Sequence, residues 1–200
     1  MNKIVKDALI LTTITLISGV VLGGVYEITK EPIAKQEEIT KQEAFKKVLS
    51  EAESFVEKEV AEDGGAAILS AAGYTTETIT GVAEALDGSG NLIGYVYTVV
   101  TSEGYGGDIS FTMGILKDGT VTGIEMLSIS ETAGLGMNAT EEDFKAQYAQ
   151  KQVEKFEVTK SGATTDNQID AISGATITTN AVTNGVNAGI AYFKATEGGN

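Results

Sequence analysis

The pattern of apolar and polar residues changes several times along the chain, and the first segment is the most hydrophobic. Residues 8–26 read ALILTTITLISGVVLGGVY and contain no charged side chain. A helix of this length crosses the hydrocarbon core of a bilayer. The run is longer than the apolar core of a typical signal peptide, and it lacks a clear A-x-A cleavage site. The pattern therefore predicts an uncleaved transmembrane anchor.

The next segment, residues 36–62, is rich in charge, and its apolar residues recur at three- and four-residue steps. This spacing is typical of an amphipathic helix. The glycines of residues 63–67 (DGGAA) would end it. The apolar positions of this predicted helix are Phe45, Val48, Leu49, Ala52, Val56 and Val60.

The pattern changes to that of β-strands between residues 79 and 128. Residues 92–100, 108–116 and 120–129 are rich in β-branched and aromatic side chains, which favour strands. Residues 117–119 (KDG) separate the last two runs and signal a tight hairpin. We therefore expect an antiparallel meander in the centre of the chain.

Two helices are predicted after the meander. Residues 141–152 follow a candidate cap at Thr140, with Asp143 at the third helical position. Residues 179–194 carry an apolar face, which predicts a closing helix despite two internal glycines. That face consists of Val182, Val186, Ile190 and Phe193. The elements together indicate an α+β fold: a single N-terminal transmembrane helix, then an extracytoplasmic domain with an antiparallel sheet flanked by helices.

Composition removes several classes of function. The chain contains no Cys and no His, which excludes disulfides, thiolate-bound zinc, cysteine-ligated iron–sulfur clusters and a Ser-His-Asp triad. All basic residues are Lys, and the formal net charge is -14. Such a chain is a poor nucleic-acid binder, because phosphate contacts need clustered Lys and Arg. A redox role would require an organic cofactor.

Three glycine-bearing segments punctuate the body: residues 103–109 (EGYGGDI), 130–138 (SETAGLGMN) and 170–182 (DAISGATITTNAV). Each alone has an ordinary explanation, as a β-bulge, a shaped loop or a helix cap. The third has a further property, because only Gly and Ala directly precede Thr176 and little side chain would cover its hydroxyl. If a helix starts there, its free N–H groups and dipole would stabilise a phosphate on or beside that threonine.

Residues 170–176 (DAISGAT) resemble the D-x-x-[ST]-G-A-T acceptor motif of the FMN-binding domain family. The stretches GYGGDI and ETAGLG also resemble loops of this family in the same order, although Ala133 stands where the family often has Pro. The resemblance covers most of the chain. It is closest to the G subunits of Rnf-type ion-translocating ferredoxin:NAD oxidoreductase complexes. The C subunits of the sodium-translocating NADH:quinone reductase are near relatives and are usually longer.

The tetrapeptide SGAT occurs twice, at residues 161–164 and 173–176. The family motif needs Asp three residues before the Ser. Asp170 meets this condition for the second copy, whereas Val158 occupies the position in the first. The second copy also precedes a helical apolar pattern, while the first runs into a polar loop. We therefore expect only Thr176 to carry a flavin.

The resemblance implies that a flavin transferase joins FMN through its phosphate to Thr176. The implied cofactor-binding residues are Thr176, Asp170, Ser173, Gly174, Ala175, Ile177, Thr178, Glu131, Thr132, Leu135, Gly136, Tyr105 and Gly106. The flavin would relay electrons between other membrane and redox subunits of an Rnf-type complex, which couples this transfer to Na⁺ or H⁺ translocation. Neither a catalytic residue nor a metal site is expected. A stand-alone flavin reductase lacks support, since no nicotinamide fingerprint is visible.

The expected organisation is a short cytoplasmic N-terminus (residues 1–7), a transmembrane helix (8–26), a connecting amphipathic helical region (27–70) and an FMN-binding domain (71–200). Lys3 and Lys6 precede the span, and this slight positive bias favours a cytoplasmic N-terminus, with the acidic body outside the cell (inner) membrane. The alternative from another class is a cofactor-free, membrane-anchored extracytoplasmic binding or interaction module. Composition and anchor fit that alternative equally well.

Overall fold

The computed structural model describes residues 2–61 and 63–198, and the chain divides into two compact units, residues 1–40 and 41–200. The first helix, α1 (Lys3–Val48), accounts for the first unit and provides the opening residues of the second. Among the described residues, it is the one helix that is long and apolar enough to cross a membrane. The predicted span therefore lies within a helix, as expected.

The sequence predicts a helix over residues 36–62, but α1 ends at Val48 and the strand β1 (Ser54–Lys58) follows. The apolar spacing holds over the helical part, since Val48 is buried. Beyond Val48 the chain turns, and the N–H of Glu53 donates to the carbonyl of Leu86 (2.8 Å). The backbone hydrogen bonds of this segment are therefore made by pairing between strands, and not within a helix. Position 62, the last of the predicted helix, lies outside the described residues.

Five antiparallel strands form the main sheet in chain order. They are β1, then β2 (Glu77–Leu86), β3 (Leu92–Thr101), β4 (Ile109–Leu116) and β5 (Val121–Ser128), with the short helix α2 (Ala66–Ala71) between β1 and β2. The predicted meander is confirmed by β3, β4 and β5. Residues 117–119 form the predicted turn, in which Gly119 has a φ of 89°.

Helices cover both faces of this sheet. Helix α4 (Thr176–Thr196) packs on one face, and its predicted apolar side chains are all buried there. The end of α1 covers the opposite face, where Phe45 packs with Val96 of β3. Its neighbour Tyr97 points to the α4 side, as the alternation of side chains along a strand requires.

The two glycines inside α4 let the helix approach the sheet closely. A Cβ at Gly185 would lie 2.8 Å from the ring of Phe111, and one at Gly189 would overlap the sulfur of Met113. Both glycines therefore serve helix–sheet packing, which fixes the position of α4 on the sheet.

The helix predicted over residues 141–152 is shorter than expected. Helix α3 (Glu142–Lys145) has 3₁₀ turns before and after it, at residues 136–140 and 146–148. The chain then runs extended, because Lys151 pairs through its backbone with the start of β5. A helix reaching residue 152 would break that pairing.

The predicted cap of this helix is wrong. Thr140 donates its hydroxyl backwards to the carbonyl of Met137 (2.8 Å) within the preceding turn. Glu141 stands at the cap position instead and makes no capping hydrogen bond with its side chain. The 3₁₀ turn has shifted the start of the helix by one residue.

A second sheet, with two short parallel strands, leads into the third glycine segment. Its strands are β6 (Glu157–Thr159) and β7 (Gln168–Asp170), with Thr159 opposite Asp170. One SGAT copy follows each strand. The two copies therefore leave the small sheet from neighbouring strand ends.

Candidate functional site

All three glycine segments meet at one cleft of about 610 Å³ beside the first turn of α4. Its lining residues are Tyr105, Glu131, Thr132, Leu135, Gly136, Gly174, Ala175, Thr176, Ile177 and Thr178. The structure thus brings together ten of the thirteen residues that the sequence analysis nominated. The volume falls in the range of about 300–1,000 Å³ that is usual for small-molecule and cofactor sites.

Glu131 holds the first two segments against each other. Its Oε1 accepts the N–H of Gly106 (3.1 Å). Glycine is needed beside the carboxylate, since a Cβ on Gly104 would lie 2.9 Å from Oε1 and a Cβ on Gly136 would lie 2.6 Å from Oε2. Gly106 itself does not line the cleft. These glycines therefore allow the two loops to close around Glu131 and form one wall.

The third segment starts α4 with an uncapped N-terminus. Ala175 occupies the cap position before Thr176, and no side chain of the described residues caps the helix. Ser173 is exposed and does not cap the helix. The first-turn N–H groups have no partners within the helix, and they lie at the positive end of its dipole. This terminus suits an anion.

Two cleft threonines in the first turn of α4, Thr176 and Thr178, have hydroxyls without a partner among the described residues. Thr176 is half-buried, and its hydroxyl has no hydrogen-bond partner among the described residues. Thr178 is only 1 % exposed, yet the described part of the chain offers its hydroxyl no partner either. Buried polar groups in native proteins are usually paired, so both hydroxyls are available to a ligand.

The rim of the cleft is apolar. Tyr105, Leu135 and Ile177 are 73 %, 41 % and 54 % exposed. Within the described part of residues 41–198, Val56 is the one other large hydrophobic residue that is exposed. The exposed apolar surface of this unit is therefore concentrated at the cleft, as is common for binding sites.

Asp170 ends β7 and does not line the cleft. Its side chain is exposed and has no partner among the described residues. Its backbone, in contrast, is held by Gln147, whose Oε1 accepts the Asp170 N–H (2.6 Å) and whose Nε2 donates to the Asp170 carbonyl at a longer distance of 3.4 Å. The motif aspartate is thus fixed through its main chain, with its carboxylate left free.

Thr179 secures the other end of the same segment. It is fully buried. Its Oγ1 accepts the N–H of Ile172 (3.0 Å) and donates to the carbonyl of Ala175 (3.0 Å). Sequence reasoning missed both Thr179 and Gln147, because neither belongs to the motif. A run of hydroxyl residues just after the motif was the single visible signal.

The first SGAT copy lies outside the cleft. Thr164 is exposed, and the Oε1 of Gln168 accepts both its N–H (2.9 Å) and its hydroxyl (3.1 Å). This threonine therefore has no free hydroxyl in the described structure, in contrast to Thr176.

A partly buried carboxylate pair lies behind the first segment. The Oγ1 of Thr76 is 3.1 Å from Glu77 Oε2 and 3.0 Å from Glu103 Oε1. Asn184 of α4 donates to the other oxygen of Glu103 (2.7 Å). Burial, and next the charge of Glu103, raises the pKa of Glu77. Thr76 has one hydroxyl hydrogen, so both contacts are hydrogen bonds when one of the carboxyls is protonated.

Comparison with known proteins identifies the family of this chain. The FMN-binding domain family matches residues 104–191, and the RnfG N-terminal region matches residues 1–48. The G subunit of the ion-translocating oxidoreductase complex of Methanosarcina acetivorans is 31 % identical over 98 % of this chain and 98 % of its own length. The chain belongs to the family of these G subunits. The resemblance inferred from the motifs is confirmed.

Membership of the G-subunit family agrees with the element boundaries. The RnfG N-terminal region ends at residue 48, where α1 ends, and the FMN-binding match begins at Gly104, in the first cleft segment. The G subunit of the proton-translocating ferredoxin:NAD(+) oxidoreductase complex of Clostridium ljungdahlii is 32 % identical over 94 % of this chain and 91 % of its own length.

Two solved structures also align with the chain. The C subunit of the Na(+)-translocating NADH-quinone reductase of Parabacteroides distasonis is 21 % identical over 72 % of this chain and 77 % of its own, with a TM-score of 0.49. NqrC of Shewanella oneidensis is 22 % identical over 57 % of each chain, also with a TM-score of 0.49.

Proposed function

We propose that this chain is a membrane-anchored flavoprotein subunit of an Rnf-type electron transport complex, with FMN in the cleft and its phosphate joined to Thr176. The observation that carries the proposal is the cleft at the uncapped terminus of α4, where Thr176 is the first helical residue and has a free hydroxyl. The family match supports the cofactor class, and the names of the relatives support the class of complex.

The residues of the cleft fit FMN in polarity and size. None of the described lining residues carries a positive charge, so the N–H groups of the first helical turn are the donors for a phosphate. The apolar rim of Tyr105, Leu135 and Ile177 provides surface for the flat ring system. Thr178 adds a free hydroxyl for a polar group. A few polar groups within an apolar cleft are typical of cofactor sites.

Attachment would be a phosphoryl transfer to Thr176, performed by a flavin transferase. The Thr176 Oγ1 attacks the phosphorus of an FMN phosphoanhydride such as FAD. The new phosphoester bond forms as the anhydride P–O bond breaks, AMP leaves, and the hydroxyl proton passes to a base of the transferase. This chain contributes an accessible hydroxyl and backbone N–H groups that stabilise the added charge.

FMN supplies reversible electron transfer when bound, a capacity that the side chains of a chain without Cys and His lack. The chain holds the cofactor and keeps it within reach of other redox subunits, which deliver and remove the electrons. The assembled complex couples this transfer to translocation of Na⁺ or H⁺. In this role the chain is a redox subunit and does not turn over a soluble substrate alone.

Helix α1 would anchor the chain in the cell membrane, with the N-terminus in the cytoplasm and the cleft on the extracytoplasmic side. The charge distribution supports this orientation, since Lys3 and Lys6 precede the apolar stretch and the body is acidic. A covalent link suits that compartment, because a dissociated cofactor would be lost there.

The test compares the two SGAT threonines. The full chain, its Thr176→Ala variant and its Thr164→Ala variant are each co-expressed with a flavin transferase, and denatured bands are examined for flavin fluorescence. We expect fluorescence in the wild type and in Thr164→Ala, and complete loss in Thr176→Ala. Peptide mass spectrometry then locates the flavin. Flavin on Thr164, or covalent flavin retained in Thr176→Ala, contradicts the proposal, and a wild type without flavin favours the cofactor-free module.

A further inference from the structure

Gln147 lies outside the D-x-x-S-G-A-T motif but holds the backbone of that motif, residues 170–176, which we call the acceptor segment. Its side-chain amide makes both contacts with the Asp170 backbone, as a neighbouring strand would. On the other side of the same segment, the N–H of Ala171 donates to the carbonyl of Thr159 on β6 (2.8 Å). The start of the acceptor segment is therefore held from both edges.

The turn that carries Gln147 is fixed relative to α4. The next residue, Tyr148, is fully buried, and its hydroxyl pairs with Oγ1 of Thr183 on α4 (2.8 Å). Its ring meets Phe144 and Phe156 edge to face, with centroids 5.7 and 5.2 Å away. Gln147 thus holds the Asp170 backbone at a fixed position relative to α4, whose first residue is Thr176.

The side chains that this arrangement presents are free. The Asp170 carboxylate and the Ser173 hydroxyl are exposed and have no partners among the described residues. Neither side chain makes a hydrogen bond within the described fold, so both are accessible to a partner molecule. A partner that contacts Asp170 while it modifies Thr176 requires a fixed separation of the two.

The first SGAT copy shows the opposite use of a glutamine. Gln168 engages Thr164 itself and occupies its hydroxyl. Gln147 engages the backbone before the second copy and leaves the Thr176 hydroxyl free. The hydroxyl of Thr164 is therefore bound to a glutamine, whereas that of Thr176 remains available.

We propose that Gln147 is a positioning residue for FMN attachment, which sets Asp170 in register with the Thr176 hydroxyl so that a flavin transferase engages both. This inference rests on the proposed function. It assigns a role to a residue outside the D-x-x-S-G-A-T motif, and it makes the folded domain the substrate of the transferase.

The experiment measures the initial rate of FMN attachment to the full chain, purified in detergent without flavin and incubated with a flavin transferase and FAD. Gln147→Met keeps the size of the side chain and removes both hydrogen bonds. We expect attachment to slow about tenfold, the effect of one or two lost hydrogen bonds on a rate. Gln152→Met is the matched control, because Gln152 also donates to a backbone carbonyl, that of Asp118, away from the segment. We expect its rate to stay within about twofold of wild type.

A double-mutant cycle separates positioning from a general loss of structure. If Gln147 acts through Asp170, adding Gln147→Met to Asp170→Asn should slow attachment by less than about twofold beyond Asp170→Asn alone, because coupled residues are not additive. Two results overturn the inference: a wild-type rate in Gln147→Met, or a full additive slowing in the double variant. A wild-type chain that accepts no FMN would instead count against the proposed function, and it is recognised before any variant is compared.

Discussion

The two SGAT copies follow neighbouring strands of the same small sheet, yet their threonines have different environments. After β6, Thr164 gives both its N–H and its hydroxyl to Gln168. After β7, Thr176 begins a helix of 21 residues, and its hydroxyl is free within the described structure. The glycines are alike, with φ of 93° at Gly162 and 76° at Gly174. The tetrapeptide therefore has a positive φ at its glycine in both places, but residues 173–174 form a turn whereas the first copy only bends at Ser161.

The difference lies in what surrounds the tetrapeptide. The second copy lies beside two other glycine segments and at a helix N-terminus, so its threonine has a cleft on one side and unpaired N–H groups nearby. The first copy has neither feature. The tetrapeptide itself therefore does not decide whether its threonine hydroxyl is free; the tertiary structure around it does.

The largest expected effect is the complete loss of covalent flavin on removal of Thr176, a loss that giving the first copy its missing aspartate should not reverse. In a Thr176→Ala background, Val158→Asp completes the motif around Thr164. We expect no covalent flavin at all, because Thr164 still lacks a helix terminus and a cleft. Peptide mass spectrometry after co-expression with a flavin transferase makes the measurement. Val158→Asp alone should keep its flavin on Thr176, and flavin on Thr164 in the double variant would show that the motif alone suffices.

A smaller effect is expected when the second copy loses its tie to α4. Thr179→Val removes the hydroxyl that accepts the Ile172 N–H and donates to Ala175. We expect the free energy of unfolding to fall by about 1–2 kcal/mol, since a partly buried N–H loses its partner. Urea denaturation of the chain without flavin measures this.

The matched control makes the same chemical change where no such tie exists. Thr78 lies on β2 with an exposed side chain, so Thr78→Val should change the free energy of unfolding by less than about 0.5 kcal/mol. Equal losses in the two variants would mean that the Thr179 tie contributes nothing.

The smallest effect concerns how stability depends on pH through the carboxylate pair of Glu77 and Glu103, which contacts Asn184 of α4. Because its pKa is raised on folding, Glu77 binds its proton more tightly in the folded protein. The stability that this proton contributes is complete below the unfolded pKa and is lost as pH rises through the raised pKa. Glu77→Gln imitates the protonated form. We therefore expect its thermal midpoint to fall less steeply as pH rises, and to lie about 2 °C above that of the wild type at pH 8.

The same variant should match the wild type at about pH 3, below the ordinary pKa of a glutamate, where Glu77 is protonated in both states. Glu59→Gln, at an exposed position, is the control and should follow the wild-type curve throughout. A Glu77→Gln protein whose midpoint falls with pH as steeply as that of wild type would show that the carboxylate pair does not govern this dependence.

Strands β3 to β5 and helix α4 could be predicted from the sequence, because the patterns that indicate them are local. Alternating β-branched residues located β3 to β5, and the spacing of Val182 and Ile190 gave the buried face of α4. The convergence of the three glycine segments required the family resemblance, since nothing in the residues alone joins loops so distant in sequence. The structure now shows ten nominated residues in one cleft.

The missed features depend on contacts between distant parts of the chain. Strand β1 exists because it pairs with β2, although its residues continue a helical spacing. Helix α3 stops early because Lys151 pairs with Val121. Gln147 contacts a backbone 23 residues away, and a glutamine in a polar stretch gives no sign of such a partner. Periodicity cannot report these contacts, because it contains no information about tertiary pairing.

The alanine at the cap position of α4 has a consequence for the proposed attachment of FMN. A good capping side chain would stabilise this helix by about 1 kcal/mol, but it would also occupy the N–H groups that a phosphate needs. The unmodified chain therefore carries an unfinished helix, and a phosphate on Thr176 would complete it. Cofactor attachment would then act as a final folding step, and resistance to proteolysis near residue 176 would distinguish finished molecules from nascent ones.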